Sequence, residues 1–252
     1  MEKQILLFDL DDTLIHCNKY FAQTIEQFAA VMREWFAPFS VETGMIKQKQ
    51  LETDMALVLA EGFQLHHFPQ SFVETYEFFC AQTGRPMNEV EKKWVWELAH
   101  SVFEQEAEPY PNMEETLSAL QNQGHLMFLY TGGDPAVQQS KIRQMNLERY
   151  FADRVIITRH KNSDMLESII RKHRLPRERT WMIGNSIRTD ILPALKNRLH
   201  AIHIPAESEW EFNIVDVDVE PQGAFFTLSS LQEIQPVIEE YAHKQGLSKK
   251  SG

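Results

Sequence analysis

Residues 5–13 read Ile5-Leu6-Leu7-Phe8-Asp9-Leu10-Asp11-Asp12-Thr13. A short apolar run stops abruptly in carboxylates. Such a run predicts a strand buried on both faces, as in the middle of a parallel sheet, with the acidic residues at its carboxyl edge. Ligands of open parallel sheets bind beyond that edge, where the strand order reverses. This one stretch therefore predicts an α/β fold and the place of its site.

Downstream the pattern changes, then returns. From about Ile15 to Glu108 the apolar residues fall at helical spacing. Phe21, Ile25, Phe28, Ala29, Met32, Trp35 and Phe36 mark a first helix, stopped by Pro38. Leu51, Met55 and Val58 mark a second. Ser71-Phe72-Val73-Glu74 has the spacing of a capping box and predicts the start of a third, with Tyr76, Phe79 and Cys80 on its face. Asn88 is placed to cap a fourth, bearing Val90, Trp94, Leu98 and Val102. From Pro109 onward strand and helix alternate. His125–Tyr130, Arg154–Thr158, Thr180–Ile183 and Ala201–Ile204 read as strands, with helical patterns between them, which predicts βαβ units and a Rossmann-like parallel sheet. Phe225–Leu228 reads as a late edge strand and Glu207–Gln222 as an irregular acidic excursion. The expected organisation is an α/β core of residues 1–16 plus 109–252, interrupted by an all-helical insert, 17–108. Leu14–Cys17 and Pro109-Tyr110-Pro111 are the hinges.

Bulk features exclude other classes. The chain has 252 residues, 43% of them hydrophobic and 24% charged, which is an ordinary globular mixture. Its net charge of −11 disfavours a nucleic-acid binder. Two cysteines, Cys17 and Cys80, build neither a disulfide framework nor a thiolate zinc site. The Ile5–Phe8 run is too short for a signal-peptide core, and no later run suits a membrane span. A cytoplasmic protein that binds no membrane is expected. The adjacent His66 and His67 would point different ways in regular structure, so they read as surface histidines rather than a metal pair. The stripe Phe21, Phe28, Trp35 reads as helical core.

The residues just beyond the predicted strands form a chemical set: Asp9, Asp11 and Thr13; Thr131, Gly132, Gly133 and Asp134; Lys161; Gly184-Asn185-Ser186 and Asp190. Carboxylates at i and i+2 suit a hard cation such as Mg²⁺. A carboxylate can attack phosphorus, and a second can serve as acid and base. A lysine, a hydroxyl and backbone N–H groups can hold equatorial phosphoryl oxygens. Each residue also has a plainer reading. Asp9 and Asp11 suit an acidic capping turn, Lys161 a solvated lysine, Thr131 an ordinary strand end, and Asn185 and Asp190 a helix cap.

In order and spacing these residues resemble the motifs of the haloacid dehalogenase (HAD) superfamily. Leu7-Phe8-Asp9-Leu10-Asp11-Asp12-Thr13 is similar to its first motif, Thr131 in Leu129–Gly133 to its second, Lys161 to its third, and Gly184-Asn185-Ser186 with Asp190 to its fourth. The helical insert sits where this superfamily carries its C1 cap, so the resemblance covers essentially the whole chain. It implies a Mg²⁺-dependent phosphohydrolase acting on a small phosphorylated metabolite through an aspartyl-phosphate. Asp9 would be the nucleophile and Asp11 the general acid/base. Thr131, the Gly132 N–H and Lys161 would hold the phosphoryl group. The Asp9 carboxylate, the Asp11 carbonyl, Asn185 and Asp190 would form the metal set. The second Asp favours a phosphatase over a dehalogenase. Asn185 departs from the pattern, since the superfamily commonly has a metal-binding Asp there. A phosphomutase and a catalytically idle binding protein are the alternatives, and the oligomeric state is left open.

Overall fold

The computed structural model describes residues 2–248. Its strands are β1 (Ile5–Phe8), β2 (Ile15–His16), β3 (Glu108–Pro109), β4 (Leu126–Gly132), β5 (Val155–Thr158), β6 (Thr180–Gly184), β7 (His200–His203) and β8 (Phe225–Thr227). Six of them form one sheet in the order β5-β4-β1-β6-β7-β8, and every neighbouring pair is parallel. The chain builds outward from β1 through β4 to β5, then crosses back to β6 on the other side. The order therefore reverses at β1, and Asp9 follows directly at that switch point.

The strand is central because its side chains are apolar on both faces. Leu6 and Phe8 pack with Leu117, Leu120, Phe151 and Ile234 on one side, while Leu7 packs with Ile169, Leu195 and Leu199 on the other. All three are fully buried. Truncating Phe8 to Ala would cost roughly 3–5 kcal/mol. Helices α5 (Met113–Asn122), α6 (Pro135–Gln144), α7 (Glu148–Phe151), α8 (Ser163–His173), α9 (Leu192–Lys196) and α10 (Ile234–Ser248) complete the layers.

Between β2 and β3 lie α1 (Asn18–Trp35), α2 (Thr43–Glu61), α3 (His67–Thr83) and α4 (Glu89–His100). They enclose a separate apolar cluster that includes Phe28, Met32, Phe36, Phe72, Tyr76 and Val95. Strands β2 and β3 pair antiparallel, Ile15 opposite Pro109, and so fasten the exit of the chain to its return. Tyr110 stacks on His16 with ring centroids 4.0 Å apart. At the start of α1 the Asp12 carboxylate accepts the N–H groups of Cys17 and Asn18. The acidic turn thus does cap a helix, but through Asp12, which leaves Asp9 and Asp11 free for other work.

Several expectations need correction. Helix α3 begins at His67, one turn before Ser71. Ser71 donates instead to the Phe68 carbonyl inside the helix and accepts from the Gln50 side chain. A serine can satisfy itself on its own helix, so capping-box spacing alone misplaced the terminus. Asn88 does cap α4, accepting from Val90 and Glu91. His67 is buried, not a surface residue, and its ring centroid lies 4.7 Å from that of His66. Among the described residues no helix is long and apolar enough to cross a membrane.

Candidate active site

Asp9 leaves the sheet edge with its N–H donated to the Ile183 carbonyl of β6. The chain then folds back on itself, with Leu14 and Ile15 donating to the Leu10 carbonyl, and Asp12 takes a left-handed φ of 59°. This tight loop returns Thr13 beneath Asp9. The buried Thr13 hydroxyl donates to Asp9 Oδ2 at 3.2 Å and accepts the Asn185 N–H at 3.1 Å. One threonine thereby ties the first strand end to the fourth motif.

Lys161 lies buried between Asp9 and Asp190. Its ammonium pairs with Asp9 Oδ1, and Asp190 Oδ1 is 2.5 Å away. Burial alone would lower the Lys161 ammonium, but the Asp190 and Asp9 carboxylates outweigh it and hold it above its usual range. Burial pushes the Asp9 carboxyl up to about 7, with Lys161 pulling the other way and Asp190 adding to the rise. Asp190 reaches this position because its Oδ2 accepts the Ser186 N–H at 3.0 Å and because residue 184 is a glycine. A Cβ there would overlap the Asp190 carboxylate.

Thr131 is the penultimate residue of β4, and its hydroxyl accepts from Gln138 Nε2 at 2.8 Å. The same amide nitrogen donates to Asp11 Oδ2 at 2.9 Å, and Lys141 pairs with Asp11 Oδ1 at 2.7 Å. Gln138 and Lys141 are one turn apart on α6, so one helix face grips Asp11. Cys17 lies against Lys141, and burial together with Asp11 raises its thiol well above the ordinary range, which disfavours the thiolate.

Asn185 is not alone. Its Nδ2 donates to both carboxylate oxygens of Glu209, at 3.1 and 3.3 Å, and Glu209 also accepts Asn213 Nδ2 at 2.7 Å. The neutral amide is thus accompanied by a carboxylate from the irregular segment after β7.

The seven residues to which the resemblance gives a role line one cavity of about 380 Å³: Asp9, Asp11, Thr131, Gly132, Lys161, Asn185 and Asp190. The opposite wall comes from the helical insert, through Phe21, Gln50, Asp54 and Phe63 among others. Phe63 lies over Gly132, its ring 2.8 Å from where a Cβ would stand, so a larger residue there would push the ring away. Phe21 therefore faces the cavity as well as the helical core. Sequence reading missed Gln138, Lys141, Glu209 and Asp54. The one available signal was the i, i+3 spacing of Gln138 and Lys141 just after the second motif.

The family model for haloacid dehalogenase-like hydrolases matches residues 3–197. The chain belongs to this family. No curated protein matches significantly. Among solved structures, a haloacid dehalogenase-like family hydrolase from Xanthomonas campestris is 22% identical, with a TM-score of 0.77 over 97% of this chain and 98% of that one. YfnB from Bacillus subtilis, described as a HAD-hydrolase bound to magnesium, is 14% identical with a TM-score of 0.61, covering 94% and 99%. A predicted phosphoglycolate phosphatase from Haemophilus somnus is 16% identical with a TM-score of 0.57, covering 94% and 98%. Dehalogenases are similar at comparable levels. At these identities the likeness speaks for the fold.

Proposed function

We propose that this hydrolase is a Mg²⁺-dependent phosphatase of small phosphate monoesters that works through an aspartyl-phosphate on Asp9. The observation that carries the reading is the second carboxylate. Asp11 lines the same cavity as Asp9 and is held by Lys141 and Gln138, as an acid/base for a leaving alkoxide requires and a halide leaving group does not.

The residues present suit a magnesium ion. The donors are hard oxygens, from the Asp9 carboxylate, the Asp11 carbonyl, Asn185 and Asp190, residues that all line one cavity. Glu209 supports the same reading, because it returns the charge that Asn185 lacks. When bound, the ion would offset the repulsion between an anionic nucleophile and an anionic ester. Asp9 attacks phosphorus. Lys161, the Thr131 hydroxyl and the Gly132 N–H hold the equatorial oxygens where charge accumulates. Asp11 protonates the leaving oxygen, then accepts a proton from the water that cleaves the aspartyl-phosphate. Phe63 and the facing helices wall the cavity opposite the sheet edge.

The test pairs two assays on the purified protein, phosphate release from an aryl phosphate and halide release from a 2-haloacid. Phosphate release that depends on added Mg²⁺, with no halide release, is expected. Halide release without phosphate release would overturn the proposal.

A further inference from the structure

Helix α2 lays one face against the cavity, with Lys47, Gln50, Leu51, Asp54 and Val58 at the spacing of a single helical stripe. Within it, Asp54 is anomalous. It is 7% exposed, and among the described residues it has no hydrogen-bond or ion-pair partner. Lys47, on the same face, is engaged with Glu26. Gln50 gives its Nε2 to Ser71 at 2.9 Å, so its Oε1 remains an acceptor without a partner among the described residues. Neither of its oxygens is sealed from the cavity, so a ligand there can reach the unpaired carboxylate.

The two walls of the cavity offer a ligand different groups. The core wall presents Lys161, placed for a phosphoryl group. The facing wall presents Asp54 and aromatic side chains, Phe21, Phe63 and Phe68. An anionic or purely apolar substrate end would leave the carboxylate unsatisfied. An ammonium would pair with it and be attracted to the aromatic faces as well.

We infer that Asp54 is the specificity residue for a substrate carrying a protonated amine at the end remote from its phosphate, so that the natural ligand is a small aminoalkyl-type phosphomonoester. This rests on the phosphohydrolase reading for the phosphate end. Burial by itself raises the Asp54 carboxyl to about 7, and an arriving ammonium would draw it back to the ionised form.

Calorimetry with two non-hydrolysable ligands, 3-aminopropylphosphonate and propylphosphonate, tests it in the presence of Mg²⁺. The wild type should bind the amine about tenfold to a hundredfold more tightly. Asp54→Asn, nearly isosteric, should close that gap. Equal affinities in the wild type, binding of neither ligand, or an unchanged gap in Asp54→Asn would overturn the assignment. Aryl phosphate turnover by the same preparations separates the two claims. Turnover without an amine preference sinks the Asp54 assignment alone. An amine preference without turnover supports Asp54 and sinks the phosphatase reading.

Discussion

Asp9 and Asp54 are both buried carboxylates, and they face one cavity from opposite walls. Burial raises the carboxyl of each to about 7. Their surroundings differ completely. Asp9 is held by the Thr13 hydroxyl and the Lys161 ammonium, at the end of a strand bonded on both sides. Asp54 has no such partners. A charge balanced by the protein is a fixed reagent, whereas a charge left unbalanced waits for the ligand to complete it. On the proposed reading the sheet edge supplies chemistry, and the helical wall supplies choice.

The largest effect should come from Asp9→Asn, which keeps the shape and removes the nucleophile. The rate of aryl phosphate hydrolysis should fall at least about a thousandfold, with near-native circular dichroism. Survival of the rate would show that the wiring around Asp9 is structural. Lys161→Met should come next. It leaves Asp9 and Asp190 facing each other without their cation, so thermal unfolding should show a loss of roughly 3–5 kcal/mol along with the activity. A silent Lys161→Met would mean that the core wall does not depend on its internal balance.

Glu209→Gln probes the charge that accompanies Asn185. Mg²⁺ affinity, read by calorimetry, should weaken about tenfold to a hundredfold while the fold is kept. Unchanged affinity would leave the metal set without Glu209.

The last effect concerns stability and has the opposite sign. The unfolded Asp54 carboxyl titrates near its ordinary 3.8, and the folded one near 7. Between these values the folded state holds the extra proton. Folding free energy therefore weakens as pH rises from about 4 to 7 and is level above that. Asp54→Asn should gain on the wild type across that window, reaching on the order of 2–4 kcal/mol at pH 7. Chemical denaturation at several pH values measures it. A destabilised Asp54→Asn would show that the carboxylate has a structural partner after all, and the contrast between the walls would fail.

The same contrast explains what could be read in the sequence. The core wall was legible because β1 is a local pattern and because residues at successive strand ends converge by topology alone. That logic brought Asp9, Thr131, Lys161, Asn185 and Asp190 to one edge. The helical wall was not legible, because which stripe of α2 faces the cavity depends on how the four helices pack, and Asp54 carries no local signal. Gln138 and Lys141 escaped for a similar reason, since the direction of α6 decides that they meet Asp11. Glu209 lies in a segment without periodicity, so only the three-dimensional path after β7 brings it to Asn185.

The central claim is covalent chemistry at Asp9. Acid quenching the wild type during turnover of a phosphate ester, followed by peptide mapping by mass spectrometry, tests it most directly. The account predicts a phosphoryl group on the peptide that contains Asp9, and its absence from Asp9→Asn. Steady hydrolysis with no phosphorylated peptide, or with the phosphoryl group on another residue, would contradict it.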